Sequence, residues 1–321
     1  MQRKLPQTDL QVSRLCFGTM TFGKPVDQAT ASRMVDRSIA AGINFFDTAN
    51  IYQLGASETM LGEAIRGKRD KLIVASKVRG KMGEGAEECG LSKPAILAEV
   101  ERSLRRLQTD YLDIYYLHQP DYGVPIEETL EAMNSLVLAG KVRYVGSSNY
   151  ASWQVGQGFC LAEKRHLAAP VIAQPMYNLI ARGIEQEFVP MAKQFGVSLI
   201  AYNPLAGGLL TGKHTLDSIT PDTRFDDNKM YQDRYWHPQD FEAVRQLQQV
   251  AKGAGRTLVS LALNWLLHHS AADCVILGAS RLEQLEENLV SAGQGPLPAE
   301  AVKACDEVWQ KLRGPIPVYN R

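Results

Sequence analysis

Leu72-Ile73-Val74-Ala75-Ser76-Lys77-Val78, followed by Tyr111-Leu112-Asp113-Ile114-Tyr115-Tyr116-Leu117-His118, decides the fold of this 321-residue chain. The first run is apolar on consecutive positions, as a strand covered on both faces requires. Between the runs, Leu97, Val100, Leu104 and Leu107 recur at helical spacing after Ser92 and Pro94, a helix start. Strand, helix and strand in this order predict a parallel pair joined by a crossover helix.

Working outward, the same unit repeats. Strand-type runs fall at 15–20, 43–47, 142–147, 171–174, 197–203 and 274–278, which with 72–78 and 111–118 makes eight. Ile126, Leu130, Met133 and Val137 form another helical stripe, stopped by Gly140. Eight β/α units predict an α/β fold of the (β/α)8, or TIM, barrel type, with a doubly wound sheet as the main rival. Two segments break the alternation. Residues 4–15 read as a small hairpin capping the barrel bottom, and 213–238 as a long polar excursion of the kind that forms lids or binding loops. No linker or repeat divides the chain, so the reading is a single domain over 1–321.

Composition excludes several classes. Thirty-five Lys and Arg balance thirty-five Asp and Glu, so no overall basic footprint for nucleic acid or an anionic membrane exists. No apolar run approaches the roughly 20 residues that span a bilayer. Cys16, Cys89, Cys160, Cys274 and Cys305 are too widely spaced for a zinc site and read as thiols of a reducing compartment, so a cytoplasmic protein is expected.

In a barrel, reactive groups gather at the C-terminal ends of the strands. Asp47 ends the second expected strand, Lys77 lies late in the third, His118 ends the fourth, and Tyr52 follows Asp47 in the loop beyond. A Lys inside an apolar strand needs a partner, which Asp47 can supply. The ammonium would favour phenolate and so lower the pKa of Tyr52 toward that of a working general acid, with His118 orienting a carbonyl oxygen. Singly, each residue has a structural alternative: an ion pair, a capping imidazole. Four at strand ends are harder to assign to accident.

These residues, with Asn44-Phe45-Phe46-Asp47-Thr48-Ala49, Ala75-Ser76-Lys77 and Gly140-Lys141-Val142-Arg143-Tyr144-Val145-Gly146-Ser147-Ser148-Asn149, resemble the aldo-keto reductase superfamily over essentially the whole chain. The resemblance implies a catalytic tetrad of Asp47, Tyr52, Lys77 and His118, with Tyr52 as proton donor. It implies NADPH/NADP+ as cofactor, bound without a Rossmann motif. Gly18, Thr19, Met20 and Asp47 would border the cofactor, Ser148, Asn149 and Gln174 would hold its carboxamide, and Tyr202 would stack on its ring. Asn203, Pro204, Leu205, Gly207, Gly208 and Lys213 would approach the pyrophosphate. Gly207 to Lys213 also matches GxxxxGK, but His214 replaces the Ser or Thr of a phosphate-binding P-loop. Arg224, Gly278, Ser280, Arg281, Gln284, Glu287 and Asn288 complete the implied cofactor set, Arg281 suiting a 2′-phosphate.

Within the superfamily the resemblance is to the aflatoxin aldehyde and succinic semialdehyde reductase branch. It implies a small-molecule carbonyl substrate held by His118, Tyr231, Arg234 and Arg321, and leaves a homodimer open. Two other readings stand beside it: a cofactor-sensing subunit resembling the potassium-channel β subunits, and a Schiff-base enzyme using Lys77 as nucleophile.

Overall fold

The computed structural model describes residues 2–85 and 87–316. β1 (Gln2–Lys4) and β2 (Gln11–Ser13) pair antiparallel. There follow β3 (Leu15–Gly18), β4 (Phe45–Asp47), β5 (Ile73–Val78), β6 (Leu112–Leu117), β7 (Val142–Ser148), β8 (Pro170–Gln174), β9 (Ser198–Ala201) and β10 (Cys274–Leu277). These eight are parallel, and β10 bonds to both β3 and β9, closing the barrel. Closure rules out the doubly wound sheet. The helices that pack around it are α1 (Gln28–Ala40), α2 (Ala56–Ala64), α3 (Lys93–Leu107), α4 (Ile126–Leu138), α5 (Ser152–Arg165), α6 (Phe188–Phe195), α7 (Lys229–Tyr235), α8 (Pro238–Gly253), α9 (Leu258–His269), α10 (Leu282–Ala292) and α11 (Ala299–Arg313). None of the helices among the described residues is long and apolar enough to cross a membrane.

Side-chain alternation along the strands separates two cores. Cys16, Phe45, Ile73, Ala75, Ile114, Ile172, Ile200, Cys274 and Ile276 fill the barrel, and Leu5, Leu10 and Val12 of the hairpin pack against them to plug its floor. Residues of opposite parity, such as Phe46, Val74 and Val78, pack against the helices. Near the floor the buried Asp113 accepts from the Val74 amide at 2.9 Å and pairs with Arg69 and Arg143, tying together the starts of β5, β6 and β7. The rigid floor leaves the opposite end, where the strands run out, for the polar side chains.

The expected helix starts are present in geometry: Ser92 Oγ accepts from the Ala95 amide at 3.4 Å, with proline in the first turn of α3. The expected strands at 15–20 and 197–203 end early. Regular pairing stops at Gly18 and Ala201, and Asn203 takes a φ of 61°, turning the chain out of the sheet. The excursion at 213–238 contains α7 and is anchored by an aromatic cluster of His214, Phe225, Trp236 and Phe241.

Candidate active site

β5 delivers Lys77 into the barrel, where it is fully buried. Its Nζ donates to Asp47 Oδ1, to the Thr48 carbonyl at 2.7 Å and to Tyr52 Oη at 3.3 Å. Asp47 is the last residue of β4, and its other oxygen accepts from Gln174 Nε2 at 2.8 Å. The carboxylate therefore has both oxygens engaged from opposite walls of the barrel. Tyr52 opens a short 3-10 turn, Tyr52–Gly55, that carries its ring back over the mouth, with the Lys77 ammonium 4.8 Å from the ring centre. His118 is the first residue after β6. Its amide donates to the Val78 carbonyl at 3.0 Å, and its ring meets that of Tyr52 edge-on at 6.0 Å. The four side chains singled out by sequence thus converge in one cluster at the C-terminal face.

The electrostatics of this cluster correct one expectation. Burial raises the Tyr52 phenol, and although Lys77 pulls it down, the net direction is above its ordinary value, not below. The hydration that the phenolate loses on burial costs more than one ammonium at this distance restores. Burial works against the Lys77 ammonium too, but Asp47 and Tyr52 outweigh it and hold it protonated. Burial, followed by the charges of Lys77 and Arg79, pushes the His118 imidazole down to about 3, so it is neutral at physiological pH and offers one N–H and one lone pair.

Around this cluster the mouth is polar. Ser148 Oγ donates to the Gln174 carbonyl at 2.9 Å. Asn149 Nδ2 donates to the His118 carbonyl at 2.9 Å, and Tyr202 Oη donates to Asn149 Oδ1 at 2.7 Å. Gly18 ends β3 so close to β10 that a Cβ would lie 2.6 Å from Ile276 Cγ2. Thr19 is buried, its amide bonded to the Asp47 carbonyl at 2.9 Å, and Met20 is half-buried beside it. The sequence did not single out the Ser57 hydroxyl, which links Thr19 (2.8 Å) and Thr48 (3.0 Å) and braces the ends of β3 and β4. Nothing in the apolar periodicity marks such a residue.

A second region could hold phosphates. Asn203 Oδ1 accepts from the Gly207 amide at 2.7 Å, leading from the buried Pro204 and half-buried Leu205 into tight turns with φ of 70° at Gly207 and 111° at Gly208. A Cβ on Gly207 would stand 2.8 Å from the Tyr231 ring. This backbone forms 3-10 turns rather than leading into the helix of a P-loop, and His214 is spent in the aromatic cluster. Lys213 is exposed. After the neighbouring strand β10, Gly278 is open to an added Cβ, and α10 starts after Arg281 with no side-chain cap, leaving its first amides free. Arg281 is exposed. Gln284 Oε1 turns back to accept from Ser280 N at 2.9 Å and Oγ at 3.0 Å, so it braces this turn. Asn288 is buried, donating to Gly278 O at 3.4 Å, and Glu287 is exposed. Bare glycine backbone, uncapped helix amides and exposed cations together fit a phosphate-bearing cofactor.

Tyr231 of α7 gathers the arginines of the excursion. Arg224 Nη1 donates to its Oη at 3.2 Å, and Arg234 lies over its ring at 5.8 Å. Arg234 also bears electrostatically on Tyr202. Arg321 lies outside the described residues.

A model of the aldo/keto reductase family matches residues 14–310. An aflatoxin B1 aldehyde reductase member 2 of Rattus norvegicus is 37% identical over 95% of this chain and 87% of its own length. Aldo-keto reductase family 7 member A3 of Homo sapiens is 36% identical over 95% of this chain and 96% of its own. A probable voltage-gated potassium channel subunit beta of Arabidopsis thaliana is 35% identical over 92% of each.

Proposed function

The chain belongs to the aldo/keto reductase family, oxidoreductases of carbonyl groups, and from that we propose that it reduces aldehydes and some ketones to alcohols with NADPH. The observation that carries this reading is the buried contact of Lys77 Nζ with both Asp47 and Tyr52 Oη.

A bound nicotinamide supplies the hydride. The chain's part is to place a proton. Tyr52 remains a phenol at neutral pH, so its O–H is available to donate to a carbonyl oxygen as that oxygen gains negative charge. Lys77, 3.3 Å away, then stabilises the phenolate left behind, and Asp47 keeps the ammonium charged and aimed. The neutral His118 donates its one N–H to the same carbonyl oxygen and orients it without competing for the proton. Gln174, Ser148 and Asn149 present amide and hydroxyl groups suited to a carboxamide. Tyr202 offers a ring face to a nicotinamide. Gly207, Gly208, Lys213 and the start of α10 receive the phosphates, with Arg281 and Arg224 as cations for them. Arg281 suits the extra phosphate that distinguishes NADPH from NADH. Tyr231 and Arg234 border the substrate, whose range includes aldehydes carrying a carboxylate or a second carbonyl.

Tyr52→Phe should lower kcat at least about 10³-fold while changing NADPH affinity less than about threefold, because the lost hydroxyl is needed for the proton and not for binding. Absorbance decay of NADPH and fluorescence titration read the two quantities. Full activity in this variant would sink the mechanism. A wild type that binds NADPH and turns over no aldehyde would favour the cofactor-sensing role that the likeness to a channel subunit offers.

A further inference from the structure

One cation at the barrel mouth has no part in the cluster described. Arg79 follows directly on the C-terminal end of β5, two residues after Lys77. The bond from the His118 amide to the Val78 carbonyl, 3.0 Å, continues the register of β5 and β6 and seats Arg79 beside His118. Its backbone has a φ of 122°, a conformation that costs a side-chain-bearing residue on the order of 1–3 kcal/mol and that persists where the surroundings impose it. The backbone is held there on both sides: the Arg79 carbonyl accepts from the Gly90 amide at 3.2 Å, and the next residue, Gly80, lies so close to Ile51 that a Cβ would stand 2.4 Å from it.

The side chain is half-buried, and its Nε is sealed from solvent with no hydrogen-bond partner. An unpaired guanidinium N–H in such a place costs free energy unless something accepts from it. Among the described residues no carboxylate does. Asp121, whose charge reaches the same Tyr150 ring as that of Arg79, has its two oxygens taken by the amides of Leu91 at 2.9 Å and Gly123 at 3.1 Å. Glu84, in the loop after Arg79, pairs with Lys81 at 2.7 Å. Among the described residues Arg79 forms no ion pair. Its positive charge is felt at His118.

We propose that Arg79 is a specificity-determining residue that receives the carboxylate of an acid-bearing aldehyde beside the carbonyl that His118 orients. Nε is sealed, and the two Nη groups, which no residue among those described engages, form the open end of the guanidinium, a pair of donors that match the two oxygens of a carboxylate. The inference rests on the reductase reading above, and assigns the anionic contact to the end of β5, a wall other than the one carrying Arg234.

The test compares kcat/KM for succinic semialdehyde and for uncharged butanal, with NADPH, in wild type, Arg79→Met and Arg79→Lys. Arg79→Met keeps most of the stem and removes both donors, and should lower the acid-to-neutral ratio about 30-fold or more. Arg79→Lys keeps the charge without the fork and should lower the ratio by a smaller factor. A ratio unchanged in Arg79→Met overturns the proposal, whether both rates fall together, as for a purely structural residue, or neither does. A wild type that reduces neither aldehyde defeats the proposed activity but not this assignment. Succinate titrated calorimetrically in the presence of NADP+ then decides: binding lost in Arg79→Met supports it, and equal binding overturns it.

Discussion

Ser76 and Lys77 are neighbours on β5, both fully buried, and each enters an ionic cluster on its own side of the sheet. Lys77 faces the barrel and meets Asp47 and Tyr52. Ser76 faces the helices and donates to Glu58 of α2, whose other oxygen pairs with Arg106 of α3 at 2.6 Å, while Arg106 also reaches Glu99. Both clusters bury a carboxylate against a cation, Lys77 fully and Arg106 in part. They differ in closure. Every oxygen of Glu58 is engaged, and Arg106 is shared between Glu58, Glu99 and Ser103, so that cluster has no group left to act on anything else. In the barrel cluster the last contact is a phenol whose O–H stands at the mouth, 3.3 Å from the ammonium. Buried charge becomes chemistry where the network ends on a group that can pass a proton outward.

The contrast is broken most severely by removing the cation from each side. Lys77→Met should lower kcat/KM for aldehyde reduction about 10³- to 10⁴-fold, since the phenolate formed at Tyr52 then has no counter-charge. Arg106→Met leaves Glu58 buried without a cation and Glu99 with only Arg102 at 3.4 Å, and should cost about 3–5 kcal/mol of stability, with kcat of the folded enzyme within about twofold of wild type. Denaturant unfolding and steady-state rates at a temperature where both variants are folded separate the outcomes. If Arg106→Met slowed turnover as much as Lys77→Met, the division between a closed and an open cluster would be wrong.

How far the sequence discloses these clusters follows from what each leaves on the chain. Short strand-type runs, several of them apolar on consecutive positions because burial on both faces forces composition, locate all eight barrel strands, and the position of Asp47, Lys77 and His118 at or near their C-terminal ends comes with them. Tyr52 is legible because the loop after β4 is short. The Glu58–Arg106–Glu99 cluster is not, since two helices carrying charges at helical spacing read as solvated faces until the packing of α2 on α3 is known. The direction of the Tyr52 shift is opposite to that expected from the sequence for a related reason: the chain shows the ammonium but not the burial that outweighs it. Arg79 escaped because its signal is an orphaned Nε and a left-handed φ, neither of which exists before folding.

A smaller effect sharpens the electrostatic side of the comparison. His118 is depressed to about 3 in the folded protein, against an ordinary value near 6.5. The unfolded chain therefore takes up a proton that the folded one refuses. The stability associated with the neutral imidazole is complete above pH 6.5 and is lost as pH falls from 6.5 toward 3, at most about 1.4 kcal/mol per pH unit from this group. His118→Gln should flatten that part of the stability profile. The rate profile should show no acidic limb from His118 between pH 5 and 8. A limb near pH 6.5 that disappears in His118→Gln would mean that the imidazole is far more hydrated than the structure shows.

The finest test removes a single hydroxyl from each region. Ser76→Ala takes one donor from Glu58 on the closed side, and with Arg106 still in place should cost about 1–2 kcal/mol of stability without changing kcat/KM beyond about twofold. Tyr202→Phe keeps the ring but releases Asn149, whose amide holds the His118 carbonyl, and should leave stability within about 1 kcal/mol while lowering kcat/KM about three- to tenfold. The two losses belong to different quantities because the two networks end differently. Misplacing Asn149 shifts the residues that must meet a ligand, whereas weakening the Glu58 network changes only how firmly β5 is held to the helices. A rate loss in Ser76→Ala equal to that in Tyr202→Phe would show that β5 transmits strain from its outer face to Lys77, and the independence of neighbouring side chains on one strand would fail.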